Sequence, residues 1–483
     1  MSKVIVKIGL VPSYRFSFSP WCRRMYEQSV AALRSVEGLE LVLPRPSPEG
    51  GALDAEKGLI PHGAVHTLDQ AEVVADSFAR QKVDGLIICP LDFGDERSAA
   101  KVAEKLRVPV LLYATKEPPA QTDAGLARVS DSYCGNLALA AALYRRKLPF
   151  HYAGIFMPDE PALRPEVETF VRAVAVAKGL RGARIGQVGL RPEPFESCEF
   201  SEREMVRKFG QNLICRELSQ IVHGALRYAD DSPAVAELVQ EVRRTVAVVH
   251  VSQEHLVRAA KLELALMDFW RTSRLSAMAV QCWPSVQQEM GISVCGVFGR
   301  LVNRGMLTAC EADVLGALTM LVNYQAALGE RVPHFIDWTI QHREDPNRFL
   351  AWHCGNAPLC LASDAGRTAL RSRGDMTGKE PIPALGSQEG LYQFQVAPGE
   401  VTLCRLAEYD GRWKMLIASG EIEPSDEELA GTWSWVRVPD HSALYRTLVE
   451  EGFIHHASMI HGDQRPALAL ACKFLEIAPV TVG

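Results

Sequence analysis

The sequence predicts an α/β protein: two doubly wound parallel-sheet domains, then a mostly antiparallel, β-barrel-like C-terminal domain. Three observations carry this. Pure apolar runs alternate with helically spaced segments up to about residue 150, the same alternation restarts near Tyr152, and from about Leu359 the period falls to two between turn signals. The predicted boundaries are 1–150, 151–355 and 356–483, within the two to four domains that 483 residues allow.

In the first domain "KVIVKIGLV", "LELVLP", "DGLIICP" and "PVLLYAT" read as buried strands. Between and after them "CRRMYEQSVAALRSV", "LDQAEVVADSFARQKV", "ERSAAKVAEKLRV" and "GNLALAAALYRRKL" have helical spacing. Ligands of such sheets sit beyond the carboxyl ends of the strands. Two loops lie there: "PSYRFS" with Tyr14 and Arg15, and "CPLDFGDER" with Asp92, Asp95, Glu96 and Arg97. Neither is a nucleotide motif, since no GxGxxG follows the first strand and no GxxxxGK[ST] occurs.

The second domain opens with the strand "YAGIFMP" and the helix "PEVETFVRAVAVAKGL". "ARIGQVGLRPEPFESCEFSEREMVRKFG" reads strand, loop, helix; two helical stretches and the buried strand "AMAVQCWP" follow. In the third domain "GLYQFQVAPGEVTLCRLAEYDGRWKMLIASGEIE" alternates, broken by the turns "APGE" and "YDGR". "TWSWVRVP" and the helical "HSALYRTLVEEG" come after it.

A net charge of −6 speaks against a general nucleic-acid binder, which needs a basic face for phosphates. No apolar run reaches the roughly 20 residues of a membrane helix. The N-terminus reads as a strand, not a signal peptide, so a cytoplasmic protein is expected. The twelve cysteines contain no CxxC pair and read as separate buried thiols.

"TACEADVLGALTMLV" (Thr308–Val322) places Glu311 and Asp313 at the mouth of a helix apolar on every side. Thr308 and Glu311 fit a capping box. Yet Glu311 shares a helical face with Leu315 and Leu318, and Asp313 faces Gly316, Ala317 and Met320. At least one acid is thus driven inward, where it needs a partner or a metal. Downstream, Asp337 interrupts "HFIDWTI", His353 ends "FLAWH", and "GFIHHASMIHGD" holds His455, His456 and His461. Each alone has an ordinary structural reading. Together, carboxylates and imidazoles at the ends of apolar elements suit a divalent ion of intermediate hardness, Mn²⁺ before Mg²⁺, Co²⁺ or Fe²⁺, and not Ca²⁺.

These blocks, "RGMLTACEADVLGALTML", "HFIDW", "AWHCGNAP" and "HHASMIHGD", occur in the order of the L-fucose isomerase and L-arabinose isomerase superfamily, which the chain resembles. "PVLLYA" with "SDSYCGN" and "RWKMLIASGEIE" extend the likeness over essentially the whole chain. The resemblance implies a metal-dependent aldose–ketose isomerase with Glu311, Asp337 and His456 as ligands. His353 matches a further histidine of the arabinose branch, whereas an aspartate at 337 matches the fucose branch, so the substrate is left open.

The resemblance also implies a homo-oligomer, a hexamer or trimer, with active sites near subunit boundaries. Tyr14, Arg15, Asp92 and Arg97 become candidate substrate contacts. Among Trp283, Trp338, Trp433 and Trp435, Trp435 ranks first as a sugar platform, and Asn356 and His455 are candidates to orient ligands. The implied reaction passes through an enediol, with Glu311 and Asp337 sharing proton transfer. Two alternatives stand beside it: an isomerase of a modified or anionic sugar, such as a C6-sulfonated hexose, and a non-catalytic sugar-binding homologue. Asp313 is expected to be the structural acid of its turn.

Overall fold

The computed structural model describes residues 3–15, 20–44, 64–118, 120–372 and 389–482. Its contacts divide the chain into two compact units. One is Lys3–Lys178 with Lys473–Leu475, and the other is chiefly Gly179–Cys472.

Among the described residues, the first unit holds β1 (Val6–Ser13), β2 (Leu39–Val42), β3 (Gly85–Pro90), β4 (Val110–Thr115), a small hairpin of β5 (Ala120–Thr122) and β6 (Gly125–Ala127), and β7 (Phe150–Phe156). Five of them form a parallel sheet in the order β2-β1-β3-β4-β7. A Cβ on Gly9 would meet Phe78 of the helix Leu68–Gln81 at 2.8 Å. One on Gly85, out of phase by one residue, would meet Val174 of the helix Leu163–Leu180 at 3.1 Å. Helices therefore cover both faces, which is why these strands carry no polar alternation. "YAGIFMP", expected to open a new domain, supplies β7, the edge strand beside β4, and this unit runs past residue 150 to Lys178. One more helix–strand step looks the same in sequence whether it extends a sheet or starts one.

The second unit begins with β8 (Arg184–Val188), β9 (Asn212–Arg216), β10 (Val248–Val249), β11 (Ala277–Val280) and β12 (Thr308–Ala309). Four of these make a parallel sheet ordered β12-β11-β8-β9. Then come β13 (His334–Gln341), β14 (Arg348–His353), β15 (Ala369–Ser372), β16 (Glu389–Gln395), β17 (Gly399–Tyr409), β18 (Arg412–Ile422), β19 (Thr432–Arg437), β20 (His456–His461) and β21 (Ala478–Val482). With β10 they form a mixed sheet in which β19-β14-β13-β20-β17-β18 run antiparallel in sequence of neighbours. β18 also pairs with β19, closing these six strands on themselves.

"YDGR" is the β17–β18 turn, with Asp410 (φ 52°) and Gly411 (φ 79°) both left-handed, as a two-residue hairpin of this kind requires. "APGE" separates β16 from β17, but β16 pairs with β15 and β19 instead. Alternation marks a strand; it does not name the strand's partner.

The helix Val314–Ala326 is buried along almost its whole length because it has no solvent side. Toward the barrel, Asn323 Nδ2 donates to Ser458 O and Oγ at 3.0 Å, and Thr319 Oγ1 accepts from Leu406 N at 3.0 Å. Its other side packs on β11 and β12. No described helix is long and apolar enough to cross a membrane.

Candidate metal centre

The stretch around Glu311 does not begin a helix where the capping pattern places it. Thr308 is in β12, and its hydroxyl donates to Met306 O at 2.8 Å. The helix starts at Val314, capped by Asp313, whose Oδ1 accepts from Gly316 N at 2.8 Å. Glu311 (φ 60°) and Ala312 (φ 51°) form a tight left-handed turn between strand and helix, closed by Ala312 N donating to Val280 O. Two consecutive non-glycine residues there cost roughly 1–2 kcal/mol each. That conformation aims Glu311 away from the helix axis, beyond the carboxyl ends of β11 and β12.

There it meets the barrel. On β13 and β20, Ile336 and Ala457 turn into the apolar core, so Asp337 and His456, paired in register, turn the other way. Glu311 Oε2 lies 2.7 Å from His456 Nε2, and Asp337 Oδ1 lies 3.6 Å from it. Ligand atoms of Asp337, His353 and His456 fall within 4.8 Å of one another, as do those of Glu311, His455 and His456. Glu311 Oε2, Asp337 Oδ1, His353 Nε2 and His456 Nε2 are all buried without a well-aligned hydrogen bond. Buried polar atoms left in this way are costly. Four of them, two oxygens and two nitrogens in two groups that share His456, fit a divalent cation.

The surroundings hold the ligands in place. His456 Nδ1 is 2.9 Å from Asp313 Oδ2, and the Arg405 guanidinium donates to both oxygens of that carboxylate, 2.6 Å to Oδ2 and 3.1 Å to Oδ1. This carboxylate–imidazole pairing fixes the ring and leaves Nε2 for a metal. His353 Nδ1 accepts from Cys354 N at 2.9 Å, and Trp283 Nε1 donates to Glu311 Oε1 at 3.1 Å.

The charges agree. Burial pushes the Glu311 carboxyl up, but His456, His353 and the Trp283 N–H outweigh it and bring it down to about 2. Burial likewise raises Asp313, and Arg405 with His456 hold it well below the carboxylate range. Burial lowers His353, yet Cys354, Asp337 and Glu311 push it up to about 9. His456 is raised well above an ordinary imidazole against its own burial by Asp313, Cys198 and Glu311. A field that holds protons on buried imidazoles is one that favours a cation in their place.

The remaining predicted residues have contacts of their own. Trp435 is buried with Leu350 and Trp433, and its Nε1 donates to Glu427 at 2.7 Å. It pairs with Leu350, three residues back along β14 from His353, so it is a packing residue. Asn356 is buried and donates to Cys310 Sγ at 3.4 Å, while the ring of His455 lies 4.0 Å from that of His456. In the first unit Arg15 N donates to Asp92 Oδ1 at 3.0 Å, Tyr14 is buried, and Arg97 pairs with Asp95, the N-cap of its helix.

Other residues the sequence did not single out. Phe195, in the loop after β8, stands edge-on to Trp283 (5.5 Å) and His455 (5.2 Å). Cys198 Sγ is 3.8 Å from His456 Nδ1. Their one local signal is a position after the carboxyl end of a parallel strand. The signal for Arg405 is a single charge within the apolar run of β17, the same kind of interruption that marks Asp337.

Two family models match the chain: "Fucose/sulfoquinovose isomerase, N-terminal domain" over residues 51–181, and "L-fucose isomerase, C-terminal domain" over residues 351–482. Together they span more than half of it. The second contains His353 and His456, and Glu311 and Asp337 lie between the two. The chain is 26% identical to a sulfoquinovose isomerase of Alkalicoccus urumqiensis over 384 residues, 79% of this chain and 82% of that one. It is 24% identical to one of Priestia megaterium over 410 residues (84% and 87%). A third, of Clostridium sp. (strain MSTE9), is 26% identical over 422 residues (86% and 90%).

Proposed function

The chain belongs to the fucose isomerase-like family of aldose–ketose isomerases, and from that premise we propose that it isomerises a sulfonated aldose to its ketose. Relatives named for sulfoquinovose support the sulfonated sugar over a neutral one. The observation that carries the chemistry is the set of four buried, unpaired atoms on Glu311, Asp337, His353 and His456, gathered in two groups that share His456.

These four residues would hold a divalent cation, Mn²⁺ by preference. Bound there, the cation would supply Lewis acidity that stabilises the charge developing on the reacting sugar. One of Glu311 and Asp337 takes the proton from the carbon beside the carbonyl and gives it back to the former carbonyl carbon, while the other relays the hydroxyl proton from one oxygen to its neighbour, so that both carboxylates end the cycle ionised. Trp283 holds the Glu311 carboxylate at a fixed angle, and with Phe195 it forms an aromatic wall that keeps water from the transferred proton. Asp313 and Arg405 keep His456 aimed. Arg15 and Arg97 are the first unit's candidates for an anionic group, in an enzyme that works as a homo-oligomer, a hexamer or trimer.

The test is a substrate panel. The metal-loaded protein is expected to turn over a 6-sulfonated aldose at least tenfold better than the matching neutral sugar, and EDTA should abolish the activity. Equal turnover of both sugars would remove the sulfonate from the reading; full turnover in EDTA would remove the metal.

A further inference from the structure

The twelve cysteines are scattered in sequence, but the fold gathers four of them beside the ligand cluster. Cys282 follows β11, Cys310 follows β12, Cys354 follows β14, and Cys295 is the first residue of the helix Cys295–Asn303. Cys295 Sγ and Cys354 Sγ are 3.3 Å apart, and neither is in a disulfide. Cys295 is buried, and Cys354 is partly exposed.

We infer that Cys295 and Cys354 form a modification site, a dithiol that a peroxide-class oxidant closes reversibly to a disulfide. A disulfide spans about 2.05 Å, so the sulfurs need to approach by only about 1.3 Å. The backbone keeps them within reach. A Cβ on Gly299 would meet Ala357 O at 2.6 Å and Asn356 O at 3.0 Å, so the helix carrying Cys295 lies directly on the turn after Cys354.

The chemistry balances without other reactants. Cys354, the more exposed of the two residues, attacks a peroxide oxygen through its sulfur. The O–O bond breaks, giving a sulfenic acid and one water. Cys295 sulfur then displaces the hydroxyl from the Cys354 sulfur, forming the S–S bond and releasing a second water. Two electrons pass from the sulfurs to hydrogen peroxide, and both thiol protons leave in water.

The consequence falls on His353. Cys354 N donates to His353 Nδ1, and Cys354 Sγ is 3.4 Å from the same nitrogen. Drawing the sulfur toward Cys295 takes it from His353 and loosens the hold that aims Nε2. This last clause rests on the isomerase reading; the disulfide does not.

Metal-loaded protein treated with equimolar hydrogen peroxide, quenched with catalase, alkylated and digested without reductant provides the test. The expected product is one species joining the Cys295 and Cys354 peptides, two hydrogens lighter than the pair, which dithiothreitol separates. Turnover should fall at least tenfold in step with it, as for lost support of a metal ligand, and recover on reduction. Cys295→Ser should prevent the cross-link and leave a sulfenic acid on Cys354. Intact thiols after peroxide, irreversible oxidation alone, or a bridge from Cys354 to Cys282 or Cys310 would each overturn the proposal. A cross-link with undiminished turnover would overturn its coupling to His353. A cross-link in a protein that isomerises no sugar would leave the dithiol standing and defeat the function instead.

Discussion

Glu311 and Asp313 are two residues apart and do different work. Glu311 presents a carboxylate oxygen to the ligand cluster, whereas Asp313 caps the helix, neutralises Arg405 and aims His456. Their substitutions should therefore fail differently. Glu311→Gln is expected to lower turnover by about 10²–10⁴-fold while the fold persists, read as kcat beside an unchanged circular dichroism spectrum. Asp313→Asn leaves a buried guanidinium uncompensated, so a loss of about 3 kcal/mol in urea unfolding is expected. With it should come a 10–100-fold weaker metal affinity, measured by competition with a chelating dye. Equal stability of the two variants would contradict this division. Sequence pattern showed that at least one of the two acids is forced inward, and the family resemblance then left Asp313 as the structural acid of its turn. What it could not show was Arg405, because that contact is made by a strand far along the chain.

At the level of elements, the turn Cys310–Asp313 shows why local pattern misled. Ser/Thr-x-x-Glu before an apolar run describes a helix start in solution. Here the parallel sheet claims Thr308 as a strand residue and pushes the helix start to Val314. The "YDGR" turn went the other way: Asp-Gly between alternating runs means one geometry, and the fold adopts it. Gly411→Ala should cost about 1 kcal/mol in urea unfolding, since its φ of 79° disfavours any side chain.

The helix Gln253–Ser273 contributes a pH dependence through His255. Burial lowers this imidazole to about 4 against the opposing Glu389. An unfolded histidine titrates near 6.5, so between these values the unfolded chain binds a proton that the folded one refuses. Stability should then fall as pH drops from 6.5 toward 4, by up to about 3 kcal/mol, and level off below. Urea midpoints across that range should lose this slope in His255→Gln.

For the whole molecule, strands and helices were largely legible because burial on both faces, or on one, leaves a period in the sequence. Sheet membership was not: β7 joined the first sheet, and β16 bypassed β17 for β15 and β19. The ligands were legible as residue types in unusual places, and their convergence became visible only in tertiary structure. If the second unit holds a metal, removing it should lower that unit's stability by about 2.7 kcal/mol at a hundredfold excess over Kd. A calorimetric midpoint unmoved by EDTA would contradict the site.

The closure of β18 onto β19 also limits how such an enzyme can change. A ring of six strands has no loose end, so one strand cannot slide past its neighbour without dragging the others. Asp337 and His456 sit opposite each other on two of those strands, and their separation is fixed like a tooth spacing on a gear. The turn bearing Glu311 and the loop bearing Phe195 lie outside the ring. Changes in those outer segments can thus reshape what meets the ring while the spacing of Asp337 and His456 stays as it is.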